Sequence, residues 1–306
     1  MLRPLLLWCS QSTRMKNFFM SFSAFRKTKE RFVAGETLEE CVAIVKKLNA
    51  QHIRTSVDYL GENVTTPEQA QQTKEIYLEL LGRIAEGHLN SHVSVKLTAL
   101  GLERDEQLCR KNLDEIVEKA QQTGSFVRID MEGSPYTEQT LHAYRDARQK
   151  HYSVGAVLQA MLRRSRRDMF TLIDEHTANI RLCKGAYYEE PSIAYTKKNV
   201  DENYRIMAVS LLEAHWLRGV YPAFATHDEK IIDFIKVHAL ERNISPRDFE
   251  FQMLYGIREK LQQQLVQEGY SVRVYVPFGT DWYGYFLRRM AERPANLWFV
   301  VKNMLR

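Results

Sequence analysis

Two hydrophobic periods alternate along this chain. Short β-branched or apolar runs fall at 53–59 (IRTSVDY), 92–97 (HVSVKL), 126–131 (FVRIDM), 154–159 (VGAVLQ), 179–184 (NIRLCK), 221–226 (YPAFAT), 249–254 (FEFQML) and 272–277 (VRVYVP). Between them lie stretches whose apolar residues recur every three or four positions, the spacing of an amphipathic helix. Their ends are marked. Thr37 with Glu40 forms a capping box ahead of the Leu38, Cys41, Val42, Val45, Leu48 stripe. Thr66 with Gln69 forms another, with Pro67 at the first helical position. Gly87, Gly124, Gly219 and Gly269 stand where helices should stop before the next strand.

Strands alternating with helices predict βαβ units and a parallel sheet, and eight of them favour closure into a (β/α)8 TIM barrel. The competing doubly wound sheet would carry a glycine-rich dinucleotide fingerprint after a strand, and the sequence has none. Barrel enzymes assemble their sites at the C-terminal strand ends. Those ends are Asp58, Lys96, Asp130 with Glu132, Gln159, Lys184 with Tyr187, Thr226-His227-Asp228, Gln252 and Tyr275. Every run finishes in a polar or ionisable side chain, a pattern that favours an enzyme.

Composition adds exclusions. With 306 residues, 44% of them hydrophobic and 26% charged, the chain is neither disordered nor low in complexity. No apolar run is long enough to span a bilayer. The net charge of +5 is carried by residues 1–29, which hold Arg3, Arg14, Lys16, Arg26, Lys27 and Lys29 and no acid. The rest is balanced, which argues against nucleic acid as a partner. The basic N-terminal segment, interleaved with Leu5, Leu6, Leu7, Trp8, Phe18, Phe19, Phe22 and Phe25, reads first as a packed amphipathic extension and second as a contact for an anionic membrane surface. Leu5–Cys9 is too short for a signal-peptide core, though basic, acid-free composition also suits a mitochondrial presequence. Cys9, Cys41, Cys109 and Cys183 are scattered, as expected of reduced thiols in a cytosol-like compartment.

Three constellations compete for the chemistry. A metal site is not expected: there is no H-x-H or H-E-x-x-H, and only His227 falls at a strand end. Lys96 or Lys184 could serve as a Schiff-base nucleophile, but a charge pair is the preferred reading, with Asp130 as partner for Lys96. The segment DWYGYFLRRMAER, 281–293, puts Tyr285, Arg288, Arg289 and Glu292 on one broad helical face. That face is either solvated or a paired-guanidinium clamp for a carboxylate or phosphate. The surrounding Trp282, Tyr283, Tyr285 and Phe286 favour the clamp.

VSVKLTALG (93–101), RLCKGAY (181–187), ATHD (225–228), FQMLYG (251–256) and YVPFG (275–279), followed by Tyr285-x-x-Arg288-Arg289-x-x-Glu292, together resemble flavin-dependent proline dehydrogenase, in its short monofunctional bacterial branch. The resemblance runs from about residue 30 to the C-terminus. It implies a distorted (β/α)8 barrel with a last helix lying over the barrel mouth; the barrel is expected over 51–306 and an N-terminal helical extension over 1–50, of which the first 30 residues match nothing in the family. It implies FAD bound non-covalently, L-proline oxidised to Δ1-pyrroline-5-carboxylate, and electrons passed to a membrane quinone. A separate dehydrogenase for glutamate semialdehyde would act downstream. The chain would be cytoplasmic, with peripheral contact at the inner face of the membrane.

The resemblance also implies roles for residues. Arg288, Arg289 and Lys96 would hold the proline carboxylate, Asp130 would orient Lys96, and Glu292 would order the arginines. Tyr275, Leu254 and Tyr285 would pack on the pyrrolidine ring, with Tyr275 disfavouring 4-hydroxylated substrate. Arg181 and Gln159 would face the reactive part of the isoalloxazine, and Gln252 the flavin. Lys184, Gly185 and Ala186 would line the pyrophosphate and ribityl region, and Thr226 and His227 the adenosine half. Cys183 replaces the family's usual valine, and Tyr188 a frequent tryptophan. A lysine-dependent lyase on the same barrel, and a non-catalytic carboxylate binder, are the alternatives.

Overall fold

The computed structural model describes residues 29–61, 64–175 and 178–285. Its centre is a closed barrel of eight parallel strands in sequential order, β1 pairing with both β2 and β8. The strands are β1 Arg54–Tyr59, β2 Ser91–Val95, β3 Val127–Ile129, β4 Val154–Gln159, β5 Asn179–Cys183, β6 Tyr221–Ala225, β7 Glu250–Leu254 and β8 Ser271–Phe278. All eight overlap the apolar runs, and helices connect them. Both capping boxes form, at Thr37–Glu40 and Thr66–Gln69, with Pro67 in the first turn. Gly219 closes its helix in the left-handed conformation, at φ +70°. Gly87 does not; its φ is −81°, and the left-handed turn falls on His88 instead.

Side chains alternate across each strand. Val57, Val93, Val95, Ile129, Ile180, Leu182, Phe251, Val274 and Val276 are buried in one apolar cluster with helix residues such as Tyr77, Leu113, Leu141, Leu211 and Ile235. The opposite face carries a different population. Arg181 on β5 donates to Ser56 on β1, strands that are not neighbours in the sheet, so both side chains point into the lumen. The barrel is therefore polar inside and apolar outside. Its floor is a charged layer: Arg273 Nε donates to Glu250 Oε1 at 2.8 Å and its Nη1 to the Thr55 carbonyl, while Arg128 Nη1 donates to the carbonyls of Ala156 and Asn179. Burial would raise the Glu250 pKa, but Arg273 outweighs it and holds the carboxyl below its usual range. Gly155 must be glycine here, because a Cβ would lie 2.5 Å from an Arg128 guanidinium nitrogen.

The N-terminal part of the described chain lies across the end of β8. Ala34 donates to the Pro277 carbonyl and Gly279 to the Gly35 carbonyl. Helix α1, Leu38–Asn49, then buries Cys41, Val45 and Leu48. Among the described residues no helix is long and apolar enough to cross a membrane.

Candidate active site

The mouth of the barrel gathers five strand ends into one buried network. Counting in twos along β1 and β2 puts Ser56 and Asp58, then Ser94 and Lys96, into the lumen. Lys96 Nζ sits 2.7 Å from each oxygen of Asp58, whose side chain is 1% exposed. Asp130, expected as the orienting carboxylate, is within reach at 3.9 Å but is not the nearest. Its Oδ1 instead receives Arg181 at 2.6 Å and Ser94 at 3.0 Å, and its Oδ2 receives the Tyr275 hydroxyl at 2.7 Å. Tyr275 also lies 3.3 Å from Lys96 Nζ, and the Arg181 guanidinium sits over its ring at 5.4 Å. Burial, with Asp130 and Asp58 alongside, pushes the Tyr275 phenol well above its ordinary range, so it stays a hydrogen-bond donor.

Among the described residues these charges balance in pairs, Lys96 against Asp58 and Arg181 against Asp130. Buried ions survive only when paired and hydrogen-bonded, and each of these four is. A carboxylate entering this pocket needs cations beyond that balance. The residues expected to supply them, Arg288 and Arg289, lie outside the described residues, as does Glu292. Tyr285 is described; it is buried, one helical turn after the buried Trp282. Leu254 ends β7 half-buried, and its backbone N–H donates to His227 Nε2 at 2.9 Å, which fixes that ring's tautomer with Nε2 as acceptor.

The other expected ligands sit on the opposite side of the mouth. Lys184 lies 2.5 Å from Asp201 and 3.0 Å from Asp228. Burial would raise the Asp228 pKa; Lys184 outweighs it and the carboxyl falls below its usual value. Gly185 has φ +109°, and a Cβ there would be 2.4 Å from Met161 Sδ, so only glycine lets the chain turn after β5. Ala186 follows in the same loop. Thr226 Oγ1 caps the Asp228 N–H at 3.1 Å. Gln159 donates to the Glu132 carbonyl at 2.8 Å, and Gln252 is turned toward the floor, donating to Glu250.

Two groups of site residues were missed in the sequence. Asp58 stands among the strand ends, but the sequence pairs Lys96 with Asp130 on β3, whereas in the structure the carboxylate nearest to Lys96 comes from β1. Ser56 and Ser94 were hidden inside runs read as apolar. The signal was present as strict alternation, S-x-D in β1 and H-x-S-x-K in β2.

A closed parallel barrel with ionisable side chains converging at its C-terminal mouth defines the class, a barrel enzyme whose site opens at that end. The family model described as proline dehydrogenase matches residues 41–302. The chain is 43% identical to proline dehydrogenase 1 of Bacillus subtilis (strain 168), covering 100% of both chains. It is 42% identical to proline dehydrogenase of Deinococcus radiodurans, covering 90% of each. Among solved structures, proline utilization A from Bdellovibrio bacteriovorus inactivated by N-propargylglycine superposes with a TM-score of 0.82 at 27% identity, over 88% of this chain and 33% of that one. The chain thus belongs to the proline dehydrogenase family, a flavin-dependent family, and is an enzyme of its short bacterial type that oxidises proline to Δ1-pyrroline-5-carboxylate.

Proposed function

We propose that the flavin is FAD, held non-covalently over the mouth, and that L-proline binds between it and the Lys96–Asp58 pair. The residues fit such a group on two counts. Arg181 Nε is buried and finds no hydrogen-bond partner among the described residues, which leaves a donor unused at the centre of the site. The Lys184-Gly185-Ala186 loop, with its left-handed glycine, offers close backbone approach and a cation on the rim. In this reading Arg181 and Gln159 serve the isoalloxazine side, and Gln252 joins them only by turning its amide up from Glu250. Lys184, Gly185 and Ala186 serve the pyrophosphate and ribityl chain, and Thr226 and His227 the adenosine half.

Bound FAD supplies the acceptor for the hydride that leaves the ring carbon next to nitrogen. The chain's own part is placement and charge. Lys96, with Arg288 and Arg289, holds the carboxylate; Tyr275, Leu254 and Tyr285 hold the plane of the ring, and Glu292 orders the arginine pair. Placement of this kind can supply several kcal/mol of a barrier, on the order of 7 or more in favourable cases. Asp58 holds the Lys96 side chain in place, and Asp130 does the same for Arg181 and the Tyr275 hydroxyl. The substrate amine must be neutral to push electrons toward the forming imine, so turnover rises with pH until the amine is free. Electrons leave to a membrane quinone, and the basic extension within residues 1–50 makes the peripheral contact from the cytoplasmic side. The barrel, 51–306, is the catalytic unit, and a separate dehydrogenase consumes the ring-opened product.

The observation that carries this reading is the neutral, buried Lys96–Asp58 and Arg181–Asp130 network tied together by Tyr275. It also weighs against a Schiff-base lyase: two carboxylate oxygens at 2.7 Å stabilise the ammonium, the form of Lys96 that is not a nucleophile. The test is the visible spectrum of the purified protein. A flavin band that bleaches when L-proline is added without oxygen is expected. A colourless protein that FAD does not reconstitute ends the proposal.

A further inference from the structure

The short stretch ahead of α1 is fastened to the segment that leads to the mouth residues. Phe32, Val33 and Ala34 are buried, and Ala34 and Gly35 are hydrogen-bonded to Pro277 and Gly279 at the end of β8. Underneath, a Cβ on Gly256 would fall 1.6 Å from the Arg31 carbonyl oxygen, so the turn after β7 has been cut to glycine to let this strap pass.

Glu36 is the end of the strap. Its backbone N–H is held by Glu40 Oε2 at 2.7 Å, as part of the capping arrangement of α1. Its carboxylate then receives two donors: Lys29 Nζ at 2.7 Å and the Trp282 indole Nε1 at 3.1 Å. Lys29 also lies 5.3 Å from the centre of the Trp282 ring. Trp282 is 2% exposed, and a buried indole N–H requires an acceptor. Residues 282–285 are helical, so Tyr285 follows Trp282 by one turn on the same side.

We propose that Glu36 is a positioning residue for substrate binding. By fixing the Trp282 indole it sets the depth at which Tyr285 meets the pyrrolidine ring. The inference rests on the reading of Tyr285 as a wall of the proline site. A fixed acceptor on a fixed strap gives the turn 282–285 a reference that β8 alone does not provide.

The test is steady-state kinetics of full-length, FAD-loaded enzyme with L-proline. Glu36→Ala should raise KM about three- to tenfold, the range one lost hydrogen bond produces, with kcat and flavin content little changed. Glu36→Gln, whose amide oxygen still accepts from the indole, should restore KM to within about twofold of the parent, since the hydrogen bond is kept. Trp282→Phe should raise KM as Glu36→Ala does, and the double variant should be no worse than either single one. Trp282→Phe carries the test alone should Glu36→Ala fail to fold. An unchanged KM in the single variants, additive effects in the double, or Glu36→Gln as impaired as Glu36→Ala would overturn the proposal. Tyr285→Ala separates the two levels. If it raises KM while Glu36→Ala is silent, only the strap's role fails; if it leaves KM unchanged, the reading of Tyr285 fails instead.

Discussion

Lys96 and Lys184 occupy matching places, immediately after β2 and β5, and each is held by aspartates, yet they are different devices. Counting by twos from His92 and Ser94 lands on Lys96, so its side chain continues into the lumen and is 10% exposed against an Asp58 that is 1% exposed. Counting from Asn179 and Arg181 lands on Cys183, which leaves Lys184 one residue out of that register. It lies on the rim, 32% exposed, between an Asp201 and an Asp228 that are about equally open. One position along a strand end thus separates a buried ion pair from a solvated one. The buried pair must be complete or the fold suffers, while the rim cluster can exchange partners with water or with a bound anion.

That contrast sets an order of expected effects. The largest belongs to Asp58→Ala, which removes the two shortest carboxylate contacts of the buried Lys96 ammonium; about 3–5 kcal/mol of stability should be lost in denaturant unfolding. An unfolding midpoint equal to the parent's would mean the pair is solvated after all. Glu250→Gln breaks the corresponding pair in the floor and adds a pH signature. The Glu250 pKa is depressed in the folded chain, so its contribution is fully present above the ordinary value of 4.5 and is lost as pH falls through the lower folded value. The gap in melting temperature between parent and variant should therefore hold steady at neutral pH and close below about pH 4.5. A gap that persists into acid would show that Arg273 does not depress Glu250. Tyr275→Phe removes one donor from Asp130 and leaves Arg181 and Ser94 in place, a loss of about 1 kcal/mol. The smallest effect is at Lys184→Ala, under about 1 kcal/mol of stability because the cluster is exposed. Weaker FAD retention should be its main consequence, measured by flavin release on dilution.

Eight strands, their order and most helix ends were legible because β-branched runs and capping residues are local signals. The strand-end list contained Asp58, Lys96, Asp130, Arg181's neighbour Lys184 and Tyr275 for the same reason. The pairing of Asp58 with Lys96 was not legible as read, since it depends on which neighbouring strand stands closer at that height, a property of barrel closure. Gln252 shows the limit from the other side. It lies near the end of an apolar run, two residues before Leu254, but its amide is drawn down to Glu250, two residues earlier on the same face. The left-handed turn at His88 is another case, where chain geometry placed the positive φ one residue beyond the glycine that the sequence offered.

Lys96 is the buried cation beneath the substrate carboxylate, and the KM for L-proline in Lys96→Met tests that role directly. The methionine keeps the length of the stem and removes the charge. A rise of about ten- to a hundredfold is expected, the worth of one charge-assisted bond, with FAD content unaltered. A KM equal to the parent's in a correctly folded, flavin-loaded variant would contradict it.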